Sequence, residues 1–197
     1  AADQPVSPEL AHGARLFVDD AHGLGVLGDT GRGSIEAAGL GMDEVPVLMG
    51  TLGKAFGTFG AFVAGADDLV ETLVQRARTY IYTTALPPAV AAATRASLRV
   101  MQDEPWRRTR VLEHVTRFRR EAAGLGLRLL ESPTPIQPVI LGSEAAALAA
   151  SEALQARGLW VPAIRPPTVP AGTSRLRITF SAAHTSADVD RLLDALA

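Results

Sequence analysis

The sequence predicts an α/β protein of two parts, residues 1–103 and 104–197. Three observations predict it. Short apolar runs alternate with helix-spaced segments, polar residues stand where the first two runs end, and the character of the chain changes after Asp103-Glu104-Pro105. A length of 197 residues with 47% hydrophobic and 20% charged content suits one large or two small globular domains.

In the first part, residues 15–18 read as a short buried strand that ends in Asp19 and Asp20. Glycines at 23, 25, 28, 31 and 33 then predict a long irregular loop. A second apolar run, 45–49, leads into a loop carrying Lys54, and 60–65 reads as a third strand. Asp67 or Asp68 is expected to cap a helix carrying Leu69, Leu73 and Val74. Pro87-Pro88 opens another, with Val90, Ala93, Thr94, Ser97, Leu98 and Met101 on one stripe. In the second part, 106–123 has Val111, Val115, Phe118 and Ala122 at helical spacing, with six arginines mostly elsewhere around the wheel. Glu113 and Glu121 dilute that basic cluster, so it reads as a solvated helix face and not as a nucleic-acid patch. Strand 136–141, helix 143–157 ending at Gly158, strand 159–164, strand 175–181 and helix 186–196 complete the reading.

The net charge of −2 gives no global attraction to nucleic acid. The absence of cysteine excludes disulfides, thiolate catalysis and cysteine-based zinc sites, and it fits a reducing compartment, for which cytoplasm is the expectation. His12, His22, His114 and His184 lack metal-ligand spacing, so no metal is expected. No apolar stretch reaches the roughly 18 residues a membrane span needs, and the opening Ala1-Ala2-Asp3-Gln4-Pro5 lacks signal-peptide features. That opening, without an initiator methionine, leads us to expect that the chain begins inside a longer protein.

Lys54 is the only lysine, in a chain with 19 Lys and Arg together. An ammonium can lose its proton and attack a carbonyl as a free amine, which a guanidinium cannot. Taken alone, a surface lysine is the plainer reading. Asp19 and His22 lie three apart just beyond the first strand, and Thr51 lies three before Lys54, so all four can gather along one sheet edge. Pyridoxal phosphate needs residues of these types: a carboxylate for the ring nitrogen, a lysine for the aldehyde, and an imidazole for the ring oxygen. Gly50-Thr51-Leu52-Gly53-Lys54-Ala55 fails as a nucleotide P-loop on spacing and on Ala55, where magnesium binding needs a hydroxyl.

Phe17-Val18-Asp19-Asp20-Ala21-His22-Gly23-Leu24-Gly25-Val26-Leu27-Gly28, Gly31-Arg32-Gly33 and Thr51-Leu52-Gly53-Lys54-Ala55-Phe56-Gly57 together resemble the α-oxoamine synthases, fold-type I enzymes that use pyridoxal phosphate. Ala163-Ile164-Arg165-Pro166-Pro167-Thr168-Val169-Pro170-Ala171-Gly172-Thr173 and Arg175-Leu176-Arg177 look most like the family's biotin-pathway member. The resemblance implies a fold-type I pyridoxal-phosphate transferase with a partial large-domain sheet and a small C-terminal α/β domain. It makes Lys54 the covalent anchor and base, Asp19 the partner of the ring nitrogen, His22 the ligand of the ring oxygen and Thr51 a further cofactor contact. Thr83 and Thr84 match a segment that reaches the phosphate of a neighbouring subunit, which implies a homodimer. Arg177 matches the residue that binds the amino-acid carboxylate, with Thr168 and Arg165 as further substrate contacts. The implied reaction joins L-alanine to pimeloyl-CoA or a pimeloyl-carrier protein with loss of carbon dioxide. A family member of the glycine C-acetyltransferase or 5-aminolevulinate synthase type, and a truncated non-catalytic subunit, are the alternatives. The resemblance covers the second half of the family's chain, so a fragment inactive alone is expected.

Overall fold

The computed structural model describes residues 15–197, and His12 lies outside them. The chain divides into two compact units, Ala1–Pro105 and Trp106–Ala197.

In the first unit, β1 (Phe17–Asp19), β2 (Val47–Thr51) and β3 (Ala61–Gly65) form one sheet in that order, β1 parallel to β2 and β3 antiparallel to it. β1 starts two residues later than the apolar run suggested, and its last residue is Asp19. Around the strands lie α1 (Ser34–Ala38), α2 (Asp67–Arg76), α3 (Arg78–Ile81) and α4 (Pro88–Asp103). Contrary to expectation, neither Asp67 nor Asp68 caps α2. Ala66 holds the cap position without a side-chain bond, and both aspartates sit in the first turn, where a negative charge meets the positive end of the helix dipole. Pro88 opens α4 at a position whose N–H has no helical partner to lose.

Register puts Phe17, Val47, Asp19, Met49 and Val63 on one face of this sheet. Phe17 is 58% and Val63 39% exposed. Among the described residues of this unit, the buried hydrophobic side chains are Val45 and Phe56.

The second unit has a much deeper core. β4 (Ile136–Gly142), β6 (Ser174–Thr179) and β5 (Ala163–Ile164) form a sheet in the order β4-β6-β5, antiparallel throughout. α5 (Trp106–Gly124), α6 (Glu144–Ala156) and α7 (Ser186–Leu196) supply its helices. Val115, Phe118 and Ala122 from α5, Leu154 from α6, and Val189, Leu192 and Leu193 from α7 close over Val139, Leu176, Ile178 and Phe180. The Phe118 and Phe180 rings lie 5.3 Å apart and tilted, a favourable aromatic geometry. Gln137 is fully buried and satisfied, donating to Ser132 O and Thr134 O and accepting from Arg119. Several arginines of α5 are engaged locally: Arg117 pairs with Glu121 and Asp190, and Arg107 and Arg110 stack on the Trp106 ring.

The expected strand 159–164 shrinks to Ala163–Ile164. Leu159 turns back onto the end of α6, its N–H donating to Leu154 O, and it packs against the core from there. Pro162 has no N–H to give a ladder.

Two carboxylates outside the core tie acidity to folding. Glu36 accepts from the Thr30 hydroxyl and from the Thr30 and Arg32 N–H groups, and these bonds, the Thr30 hydroxyl first, hold its pKa below 4.5. Asp188 and Thr185 form a reciprocal capping box at α7, which lowers the Asp188 pKa below 3.8, the Thr185 N–H contributing most. A depressed carboxylate stabilises the fold above its unfolded pKa and loses that contribution as pH falls through the folded one. Thermal melting is therefore expected to be insensitive to these groups near neutrality and to weaken below about pH 4.5. Asp188→Asn, which has no proton to lose in this range, should remove the Asp188 part of that dependence, and an unchanged acid profile in the variant would count against the capping-box origin.

Candidate active site

The C-terminal ends of β1 and β2 carry the candidate residues Asp19, His22, Thr51 and Lys54 or lead into them, because a parallel pair delivers both chain exits to the same edge of the sheet. Asp19 ends β1 exposed, and its Oδ1 accepts from Ala21 N at 3.0 Å, which turns the chain sharply toward His22. Thr51 ends β2 and opens the 52–60 loop. Its hydroxyl donates to Gly60 O at 3.1 Å and accepts from Gly53 N at 3.4 Å, closing the loop's base.

Lys54 and His22 are brought together. The Lys54 Nζ lies 3.1 Å from His22 Nε2, and both residues are exposed. An amine and an imidazole thus meet across 32 residues of sequence, beside the strand end that carries Asp19.

Sequence reasoning missed Asp20. It is 2% exposed, and its carboxylate receives Ser34 N at 2.9 Å and Ser34 Oγ at 2.6 Å, so it ties β1 to the start of α1. Gly33 has φ 91°, and a Cβ there would lie 1.7 Å from Asp20 Oδ2, so glycine is required on both counts. The signal lay in the glycines around it, since a buried carboxylate needs N–H groups brought close by bare backbone.

The remaining candidates are placed as follows. Thr83 and Thr84 follow α3 and are exposed, and the Thr83 hydroxyl donates to Thr79 O. They stand among Tyr80, Ile81, Tyr82 and Leu86, all of them exposed apolar side chains. In the second unit, Arg177 is half-buried on β6, and its neighbours Leu176 and Ile178 point into the core, so Arg177 occupies the opposite sheet face. Its backbone N–H donates to Pro162 O. Among the described residues its guanidinium makes no hydrogen bond or ion pair. Arg165 is exposed and 4.0 Å from Glu144, and Thr168 is exposed in the turn after β5.

The chain matches the model of the family described as aminotransferase class I and II over residues 9–196. The chain belongs to that family. Its fold is the fold-type I architecture of these class I and II aminotransferases, and the sequence is similar to proteins called 8-amino-7-oxononanoate synthase. The one from Thioalkalivibrio sulfidiphilus is 62% identical over 194 residues, covering 96% of this chain and 50% of the relative. The one from Methylococcus capsulatus is 63% identical over 195 residues, with the same coverage of 96% and 50%. The chain thus spans about half the length of these curated relatives. Among solved structures, serine palmitoyltransferase of Sphingomonas wittichii superposes with a TM-score of 0.89 at 34% identity, covering 95% of this chain and 47% of that one. The 8-amino-7-oxononanoate synthase of Francisella tularensis gives 0.85 at 31% identity, covering 95% and 56%. Among the described residues, no helix of this family member is long and apolar enough to cross a membrane.

Proposed function

We propose that the chain carries the lysine-bearing part of a pyridoxal-phosphate-dependent acyltransferase of the 8-amino-7-oxononanoate synthase type. The observation that carries the reading is the pairing of Lys54 Nζ with His22 Nε2 at 3.1 Å beside the strand end holding Asp19. These donors fit the cofactor: an amine for an aldehyde, a carboxylate for a pyridinium nitrogen and an imidazole for a ring oxygen. Identities of 62–63% to proteins of that name support the choice of member over other α-oxoamine synthases.

When bound, pyridoxal phosphate would supply an electron sink for the carbon that bears the amino group. Asp19 would keep the ring nitrogen charged, and Thr51 would contact the cofactor beside it. Lys54 would hold the cofactor's aldehyde and, as a free amine, would take the α-proton at Nζ, with His22 fixing the direction from which that amine acts. Arg177 would hold the amino-acid carboxylate, with Thr168 and Arg165 as further substrate contacts. L-alanine and a pimeloyl thioester, on coenzyme A or a carrier protein, would form one carbon–carbon bond as the thiol and carbon dioxide leave. Thr83 and Thr84 would serve the site of a second copy in a homodimer, and the exposed Tyr80, Tyr82 and Leu86 beside them support that reading.

The test, run on the full-length enzyme that carries this segment, offers alanine, glycine and serine against pimeloyl and short-chain thioesters and follows thiol release. Alanine with the pimeloyl thioester is expected to be preferred, and a preference for glycine with an acetyl thioester would overturn the choice of member. In Arg177→Gln, loss of a charge-assisted contact worth about 1.5–3 kcal/mol should raise the KM for alanine roughly tenfold to a hundredfold. An unchanged KM would remove Arg177 from the carboxylate role.

A further inference from the structure

We propose that Ser97 and Thr94, both on α4, are positioning residues that fix the backbone of the Lys54 loop. The inference rests on the cofactor reading above, which gives the Lys54 amine its task.

A lysine stem has four rotatable bonds, so a defined place for Nζ requires a defined place for its backbone. The loop closes on itself through Gly57 N to Lys54 O at 2.9 Å, Thr58 N to Leu52 O at 2.9 Å and Leu52 N to Gly60 O at 2.8 Å. Those bonds shape the turn without tying it to the rest of the unit. The tie comes from α4. Ser97 Oγ donates to Phe56 O at 2.6 Å, two residues past the lysine. Thr94 Oγ1 donates to Thr58 Oγ1 at 2.9 Å, and Thr58 Oγ1 donates onward to Leu52 O at 3.0 Å, two residues before it. Val90 O, 2.9 Å from Thr94 Oγ1, competes for the same proton, so Ser97 is the stronger arm.

Positions 94 and 97 lie three apart and share one helix face, which brings both hydroxyls to the loop together. The loop also packs closely against the glycine segment. Phe56 is buried, and a Cβ on Gly25, at φ 81°, would lie 2.9 Å from Ala55 Cβ. The Lys54 segment is thus held between the glycine loop and two hydroxyls on a stripe otherwise made of Val90, Ala93, Leu98 and Met101. Packing alone would be served as well by alanine and valine there. The hydroxyls point to a hydrogen-bonding role.

The experiment compares Ser97→Ala, Ser97→Thr and Thr94→Val with the wild type. The first readout, taken without cofactor, is the rate of deuterium labelling in the peptide that contains Lys54, where the Gly57 and Thr58 amides close the loop. Ser97→Ala is expected to raise that rate about fivefold, the factor that one lost hydrogen bond represents, and Ser97→Thr to restore it. The second readout is the pH midpoint of the visible band that forms on adding pyridoxal phosphate, which should move in Ser97→Ala and return in Ser97→Thr. Folding is checked by circular dichroism, and should Ser97→Ala fail to fold, the near-isosteric Thr94→Val decides. Labelling rates within about twofold of wild type in the folded variants would overturn the proposal. A wild type that forms no visible band would count against the cofactor reading, and the labelling comparison would still decide this one.

Discussion

Lys54→Ala is expected to abolish the visible absorbance band that the wild type develops on adding pyridoxal phosphate, and Lys54→Arg to abolish it too. The two variants separate charge from nucleophilicity. Arginine keeps a positive charge at this position but cannot supply a free amine, because its guanidinium stays protonated. No other lysine occurs among the 197 residues, so no neighbour can stand in. The measurement is an absorbance titration with the cofactor, and a band retained in Lys54→Ala would sink the assignment of the site.

Phe118→Ala is expected to have the largest effect on stability. Phe118 is fully buried at the centre of the second unit's core, in ring contact with Phe180 and packed in one cluster with Leu176 and Ile178. Removing a buried aromatic ring of this kind costs about 3–5 kcal/mol, a fall in Tm of at least about 12 °C for a unit of this size. Leu176 and Ile178 flank Arg177 on β6, so the same substitution should loosen the strand that presents the guanidinium. Thermal unfolding of the variant checks the prediction, and a shift below about 4 °C would mean the core closes over the missing ring.

Much of this was legible in the sequence where a periodic pattern ran long enough. α5 and α7 follow their apolar stripes closely, and β4 follows its apolar run. The convergence of His22 on Lys54 followed from placing each just past a strand of one sheet. Short or non-local features were not legible. α3 is a single turn, too short to show a helical period, and α1 lies in a stretch that reads as loop because glycines surround it. The Leu159-Trp160-Val161 run mimics a strand, yet Trp160 is 86% exposed and Leu159 serves the end of a helix. The adjacent carboxylates Asp19 and Asp20 could not be told apart by position. Their difference is made by Ser34, fourteen residues on, which buries one and leaves the other at the strand's open end.

The unequal depth of the two cores bears on how the molecule comes apart. Amide protons in β4 and β6 are sealed beneath Phe118, Leu176 and Val189, so their exchange with solvent requires opening on the scale of that whole unit. The Lys54 loop sits in a unit where Val45 and Phe56 are the buried apolar side chains among the described residues, and its bonds can break a few at a time. The seat of the reactive amine can therefore be lost and regained while most of the chain's ordered structure persists.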